Sequence, residues 1–254
     1  MKFSVLVPFV PKRAEQVLPF AGLVRFGQAE RLWQGQSLYI DSHQQFVTTA
    51  GAGLRTPIGT GVSLMPLQHP WHAAMQARSV AVAVGQPIVA GYGPGGRPFQ
   101  QALLGAPYPS PLTACREYLT IMSGLLEGHR VTMTGDYFQC YASLPPLASP
   151  PIELGLGVLR SRMAMLAGEV ADVAITWLTP ADYIRGVIAP ATHDGAATAR
   201  RERRGWSRWF RWRCPGRTAS RLRSRWPAMR RTFDCRTTGR CCGNRASTSR
   251  VTTC

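Results

Sequence analysis

The stretch from Arg55 to Gly96, RTPIGTGVSLMPLQHPWHAAMQARSVAVAVGQPIVAGYGPGG, constrains the fold more than any other part of the chain. Ile58–Leu64 is apolar and carries two glycines, which suits a strand buried on both faces. Pro66 and the pair His69–Pro70 break it. Trp71–Val84 then places Trp71, Ala74, Met75 and Val82 at helical spacing, with Gln76 opposite and Arg78 interrupting the apolar stripe. Gly85–Gln86–Pro87 ends that helix, and Ile88–Tyr92 is a second short apolar strand that opens into Gly93–Pro94–Gly95–Gly96. Strand, helix and strand of this length form a βαβ unit. Such a unit implies a parallel sheet whose site lies at the strands' carboxyl ends.

The flanking sequence repeats the alternation. Lys2–Val10 predicts a first buried strand; Pro8, Pro11, Lys12 and Arg13 interrupt it and no small-residue cleavage site follows, which argues against a signal peptide. Ala14–Arg25 reads as an amphipathic helix, Glu30–Ser37 as a strand and Phe46–Gly53 as a short helix. Beyond Gly96, Leu112–Gly128 is a helix with a glycine stop. Val131–Cys140 alternates around Thr134–Gly135–Asp136 as a hairpin does. A Pro-rich connection, Leu144–Pro151, leads to a buried strand at Ile152–Val158, a helix at Ser161–Val170, a strand at Asp172–Leu178 and the start of a helix at Pro180–Ile188. Six strands alternating with helices favour an α/β barrel over a doubly wound sheet. No segment approaches the ~20 apolar residues of a membrane span.

Charge divides the chain in two. Residues 200–254 carry 17 arginines and two acids, so nearly all of the net charge of +17 lies there, with five of the seven cysteines and four of the seven tryptophans. This tail shows neither helical nor strand periodicity and reads as disordered. Trp is encoded only by TGG, and most Arg codons begin CG. With suitable third bases, Gly205–Cys214 (GWSRWFRWRC) read one base earlier can give Val-Val-Ala-Val-Val-Pro-Val-Ala-Leu, a buried strand. The expectation is a frameshift near Arg200, with residues 1–196 as the structured domain and its last strands missing. Arginine and tryptophan in such a tail bind nucleic acid as any polycation does, without specific recognition.

Few residues announce chemistry by spacing alone. Gly91-x-Gly93-x-x-Gly96 imitates a dinucleotide fingerprint, but neither a following helix nor an acidic residue about 20 positions on is expected. His69, before Pro70, reads as a helix cap or as a catalytic group. His43, His72, His129 and His193 show no metal-ligand spacing, and no carboxylate pair stands out. Cys115 and Cys140 read as core thiols in a reducing cytoplasm.

Several ordered motifs across residues 1–196 carry a family resemblance. ERLWQGQSLYID, TPIGTGVSLMPLQHPWHAAMQARSVA, the EYL…LLEG helix with its GDYF hairpin, and LAGEVADVAI followed by TWLTP resemble the luciferase-like flavin-dependent oxidoreductases and monooxygenases. The subgroup this chain most resembles uses the deazaflavin coenzyme F420, with FMN as the alternative. The resemblance implies a (β/α)8 barrel, incomplete here at about six strands, with the cofactor across the carboxyl ends of the strands. It matches Gly61, Val62 and Ser63 to a segment with a non-proline cis peptide that supports the flavin ring. It matches Gly91 and Gly93 to small residues that let the ring approach the backbone. Gly157, Val158, Leu159 and Arg160 correspond to the phosphate-holding turn, where unpaired helix N–H groups attract an anion. Thr176 and Trp177 correspond to ring or substrate contacts. Where relatives carry an acidic or histidine proton donor this chain has Gln36 and Ser37, so the general acid is open among Gln36, Ser37, His69 and Trp177.

Three functions of different class follow. The first is a redox enzyme that moves a hydride between a reduced flavin or deazaflavin and a small organic substrate, full-length relatives being expected as homodimers. The second is an inactive, truncated relative. The third is a nucleic-acid-binding protein acting through the basic tail. Comparing the coding DNA in its other frames separates them.

Overall fold

The computed structural model describes residues 3–199. The composition break at Arg200 and the frameshift expected there lie outside the described residues.

Among the described residues there are nine strands, most of them separated by helices. They are β1 Val5–Leu6, β2 Leu32–Gln34, β3 Ile58–Thr60, β4 Ser63–Leu64, β5 Ile88–Gly93, β6 Val131–Thr134, β7 Gln139–Ala142, β8 Ile152–Gly157 and β9 Val173–Ile175. The main sheet runs β1-β2-β3-β5-β8-β9 and all its pairs are parallel; β4 continues the third position beside β5, while β6 and β7 form a separate antiparallel hairpin. Each strand therefore lies beside its predecessor in the barrel series, with no reversal of order. A doubly wound sheet would reverse.

The sheet is curled. Three ladder steps separate β3 from β9, which would be about 14 Å in a flat sheet. Yet a Cβ built on Gly61 would lie 3.7 Å from Ile175 Cγ2, and one on Gly91 of β5, two steps from β9, would overlap Ile175 Cδ1. Inside the arc, Trp33, Val89, Val173 and Ile175 form their own apolar cluster, joined by Leu6 and Val62. Gly59, Gly91 and Gly155 are the hollows that Trp33 and Ile175 fill: a Cβ on Gly59 would meet the Trp33 ring at 2.6 Å. Outside the arc, Val7, Leu32, Ile58, Ile88, Ala90, Leu154, Leu156 and Ala174 pack under the helices as the larger core. The result is an incomplete α/β barrel of six strand positions.

The third position is where the ladder is disturbed. Gly59 pairs with Val89 and Ser63 with Tyr92, so three residues face two, a one-residue bulge. The Gly61–Val62 peptide within it is cis. Thr60 repairs the lost ladder bonds: its Oγ1 accepts from the Gly91 N–H at 2.8 Å and donates to the Gly91 carbonyl at 3.0 Å.

Helices α1 Leu18–Phe26, α2 Ser42–Gly51, α3 Pro70–Val84, α4 Arg97–Leu104, α5 Pro111–Leu126 and α6 Ser161–Val170 cover the outside. Ala181–Tyr183 (α7), a π-helical turn at Ile184–Ile188 and α8 Ala189–Thr198 close the described part. Gly168 and Gly195 let α6 and α8 touch backbone to backbone, since a Cβ on either would overlap the other helix's carbonyls. At the amino ends of the strands, Arg31 donates to the Ile58 carbonyl at 2.8 Å and the Pro87 carbonyl at 3.3 Å, and faces Glu153 of β8 at 3.5 Å. One guanidinium thus ties four strands at the face that stabilises rather than reacts.

Several elements differ from expectation for local reasons. β1 is two residues long, not the whole of Lys2–Val10, because Pro8 has no N–H for the ladder. The helix expected at Phe46–Gly53 begins at Ser42, since Asp41 caps it by accepting from the His43 and Gln44 N–H groups at 2.7 and 3.0 Å. Its first turn buries polar Ser42, His43 and Gln45, which hydropathy does not show. On α3 the buried face is Ala73, Ala74, Ala77, Val80, Ala81 and Val84, leaving Val82 exposed. A helix, α4, does follow Gly96, with its proline in the first turn where the missing N–H costs nothing.

Candidate functional site

The expected site residues fall mostly at the carboxyl ends of adjacent strands, and Val62 is where they meet. Its side chain fills the space beside two glycines: a Cβ on Gly93 would lie 2.9 Å from Val62 Cγ2, and one on Gly157 3.2 Å from Val62 Cγ1. The Gln36 N–H donates to the Val62 carbonyl at 3.2 Å, and the Gly61 N–H to the Gln34 carbonyl at 2.9 Å. The bulge is thereby tied to β2 on one side and, through Thr60, to β5 on the other. Gly91 lies deeper in β5, where a Cβ would overlap the Thr60 carbonyl and Ile175. Its smallness serves the packing of the arc.

The turn after β8 leads straight into a helix N-terminus. The Val158 N–H donates to the Ile175 carbonyl at 2.7 Å, which holds the turn against β9. Arg160 is the N-cap of α6, but its side chain makes no cap hydrogen bond. Among the described residues no side chain accepts from the first-turn N–H groups of α6, the arrangement that favours an anion. Leu159, Arg160 and Arg162 are exposed beside it. Past β9, Thr176 is buried and Trp177 is about half exposed, ahead of Leu178 in a left-handed turn at φ 47°.

Other candidates are held in structural hydrogen bonds. Ser37 is buried, and its Oγ accepts from the Tyr39 and Ile40 N–H groups at 3.2 and 3.4 Å. The Gln36 amide donates to the Ser37 carbonyl at 2.7 Å. Both act as braces of the loop after β2. His69 caps α3, its Nδ1 accepting from the Trp71 N–H at 3.2 Å, which leaves Nε2–H to donate to the Gln139 carbonyl of the hairpin at 2.9 Å. It belongs to the junction of α3 and the hairpin. Gly91 and Gly93 lie inside β5, so the glycine series is not a phosphate loop despite the helix that follows it.

Two arrangements escaped the sequence. One is the double bond of Thr60 to Gly91. The other links Asp41, His43 and Ser63: Asp41 Oδ1 lies 3.4 Å from His43 Nδ1, and His43 Nε2 lies 3.5 Å from Ser63 Oγ. The His43 ring, more than any other cause, holds the Asp41 carboxyl down to about 2; the Gln44 and His43 N–H groups help, and burial opposes. The signal available was the polar run Asp41–Gln45 ahead of an apolar helix, which marks a cap. Cys115 and Cys140 are buried free thiols, and burial pushes the Cys115 thiol up to about 12. Among the described residues, no group of three or more His, Cys, Asp or Glu is placed to hold a metal, and no helix is long and apolar enough to cross a membrane.

Known proteins of the same build give these features a context. A curated 5,10-methylenetetrahydromethanopterin reductase from Methanolobus tindarius is 29% identical over 127 residues, 50% of this chain and 39% of that protein. The structure of a coenzyme F420-dependent tetrahydromethanopterin reductase from Methanopyrus kandleri superposes with a TM-score of 0.64 at 20% identity, over 80% of this chain and 63% of the other. The FMN complex of the oxygenating constituent of 3,6-diketocamphane monooxygenase from Pseudomonas putida gives 0.61 at 15% identity, over 78% and 63%. The chain thus spans less than two thirds of the length of each of these relatives. At such identities the superpositions speak for the curled sheet and its helices alone. The family signature itself matches residues 20–215, most of the chain and every strand from β2 to β9. With the strand order and bulge described above, this chain belongs to the luciferase-like monooxygenase family.

Proposed function

We propose that the protein is an oxidoreductase that binds a reduced deazaflavin, coenzyme F420, at the carboxyl ends of β3, β5 and β8, with FMN as the alternative. The observation that carries this reading is the bulge at Gly61–Ser63, with Val62 seated between Gly93 and Gly157. The residues present fit such a group. The bulge offers a shelf for a ring system, and the uncapped first turn of α6 after Gly157 offers backbone donors for a phosphate. Arg160 and Arg162 add positive charge beside it. When bound, a reduced deazaflavin or flavin supplies the hydride for a small organic substrate. The chain's own part is to hold the phosphate at Gly157–Arg160, to support the ring at Gly61–Ser63, and to contact the ring or its substrate through Thr176 and Trp177. Buried free Cys115 and Cys140 support a reducing compartment, which we take to be the cytoplasm.

Titrating the full chain with F420 and with FMN, followed by cofactor fluorescence, tests the reading. The expected result is saturable binding with the deazaflavin preferred. Gly157→Asp puts a carboxylate beside the phosphate and should weaken binding roughly tenfold. Unchanged affinity in that variant rejects the placement, and preference for FMN overturns the cofactor. A second reading, an inactive relative, draws on the two edges of the described sheet: β1 and β9 each pair on one side only. Binding without turnover would favour it.

A further inference from the structure

We propose that His43 is a positioning residue for this site, a brace between helix α2 and the bulge that holds Ser63 in place from the helix side. The proposal rests on the cofactor reading above, since it assigns His43 to the support of the ring shelf. The bulge interrupts the ladder, so its conformation depends on tethers from outside the strand. Two have been described, Gln34 and Gln36 on the β2 side and Thr60 on the β5 side. The third runs outward. Ser63 is 2% exposed, and its hydroxyl meets His43 Nε2 at 3.5 Å.

The imidazole is itself held. Asp41 caps α2 and takes the His43 backbone N–H at 2.7 Å, while the same Oδ1 stands 3.4 Å from the ring Nδ1. A carboxylate at Nδ1 keeps the proton there, which leaves Nε2 to accept from the Ser63 hydroxyl. The ring's orientation is thereby set by the helix cap, and the helix start is joined to the shelf in one chain of contacts. An Asp–His–Ser order also suggests a nucleophilic serine. Burial excludes that here: at 2% exposure for Ser63 and 6% for His43, no acyl group reaches Oγ. The arrangement orients and does not attack.

Cofactor affinity and backbone exchange test the brace in the full chain. His43→Ala should raise the dissociation constant for F420 about fivefold, the worth of one net hydrogen bond. It should also speed amide exchange in peptides covering residues 58–65 with no cofactor present. Ser63→Ala should do the same, and the double variant should show little more than either single change, because both remove one contact. His43→Gln keeps an acceptor and should recover most of the affinity. Asp41→Asn keeps the helix cap and should give an intermediate effect. If His43→Ala lowers the melting temperature but leaves both affinity and exchange at the bulge unchanged, or if the two single effects add, the proposal is overturned. Failure of the wild type to bind either F420 or FMN rejects the cofactor reading, and exchange at residues 58–65 then still decides the brace.

Discussion

Glu117 offers a sharp test of how the hairpin is held. It is a buried carboxylate on α5, and it accepts the N–H groups of Asp136, Tyr137 and Phe138 at 2.8, 2.9 and 3.0 Å. Those three donors sit in the turn between β6 and β7, where no ladder partner serves them. Gly135 belongs to the same arrangement, for a Cβ there would overlap the Glu117 carboxyl. Glu117→Ala removes the acceptor of all three at once. A buried donor left without a partner costs about 1–3 kcal/mol. Water can reach part of this turn, so the lower end applies, about 3–4 kcal/mol in total. That is a large share of the roughly 5–15 kcal/mol by which a domain is stable. With a urea slope of about 2 kcal/mol/M, the midpoint should fall by about 1.5–2 M. Glu117→Gln keeps one oxygen but turns a donor toward the turn, and should lie between the two. Amide exchange at Asp136–Phe138 should rise in parallel. A Glu117→Ala midpoint within about 0.3 M of wild type would refute the reasoning, because it would mean the turn finds other acceptors at little cost.

Thr60→Val exchanges the hydroxyl for a methyl of similar size and strips Gly91 of both partners, so a loss of about 2–3 kcal/mol is expected in the same assay, against about 1 kcal/mol for Thr60→Ser. Arg31→Met removes the tie between the strands' amino ends and leaves Glu153 without that partner; a loss of about 3 kcal/mol should appear as a lower melting temperature, while an unchanged melt would remove Arg31 from the account of the fold. The Asp41 carboxyl lies near 2 in the fold against an ordinary 3.8, so its contribution is complete above about pH 4 and is lost as pH falls toward 2. Asp41→Asn should flatten the stability–pH curve over that window; equal slopes in both proteins would contradict the assignment.

The sequence by itself determined the alternation of strand and helix from β2 to β9, which rests on period and glycine placement, local properties of the chain. The barrel class drew on that alternation together with the family resemblance, and the segments at Gly61–Ser63 and Gly157–Arg160 were implied by the resemblance. The ends of elements were decided by caps and prolines. Asp41 starts α2 four residues before the apolar pattern does, and Pro98 sits harmlessly in the first turn of α4. The hydrogen-bond partners were decided by tertiary structure alone. Thr60 meets Gly91 across 31 positions, His43 meets Ser63 across 20, and Glu117 meets Asp136 across 19. No periodicity encodes such pairs. The first two exist because parallel strands joined through helices bring distant residues together at the bulge, the third because α5 lies against the hairpin turn, and in each a buried polar group settles on the partner that the packing supplies.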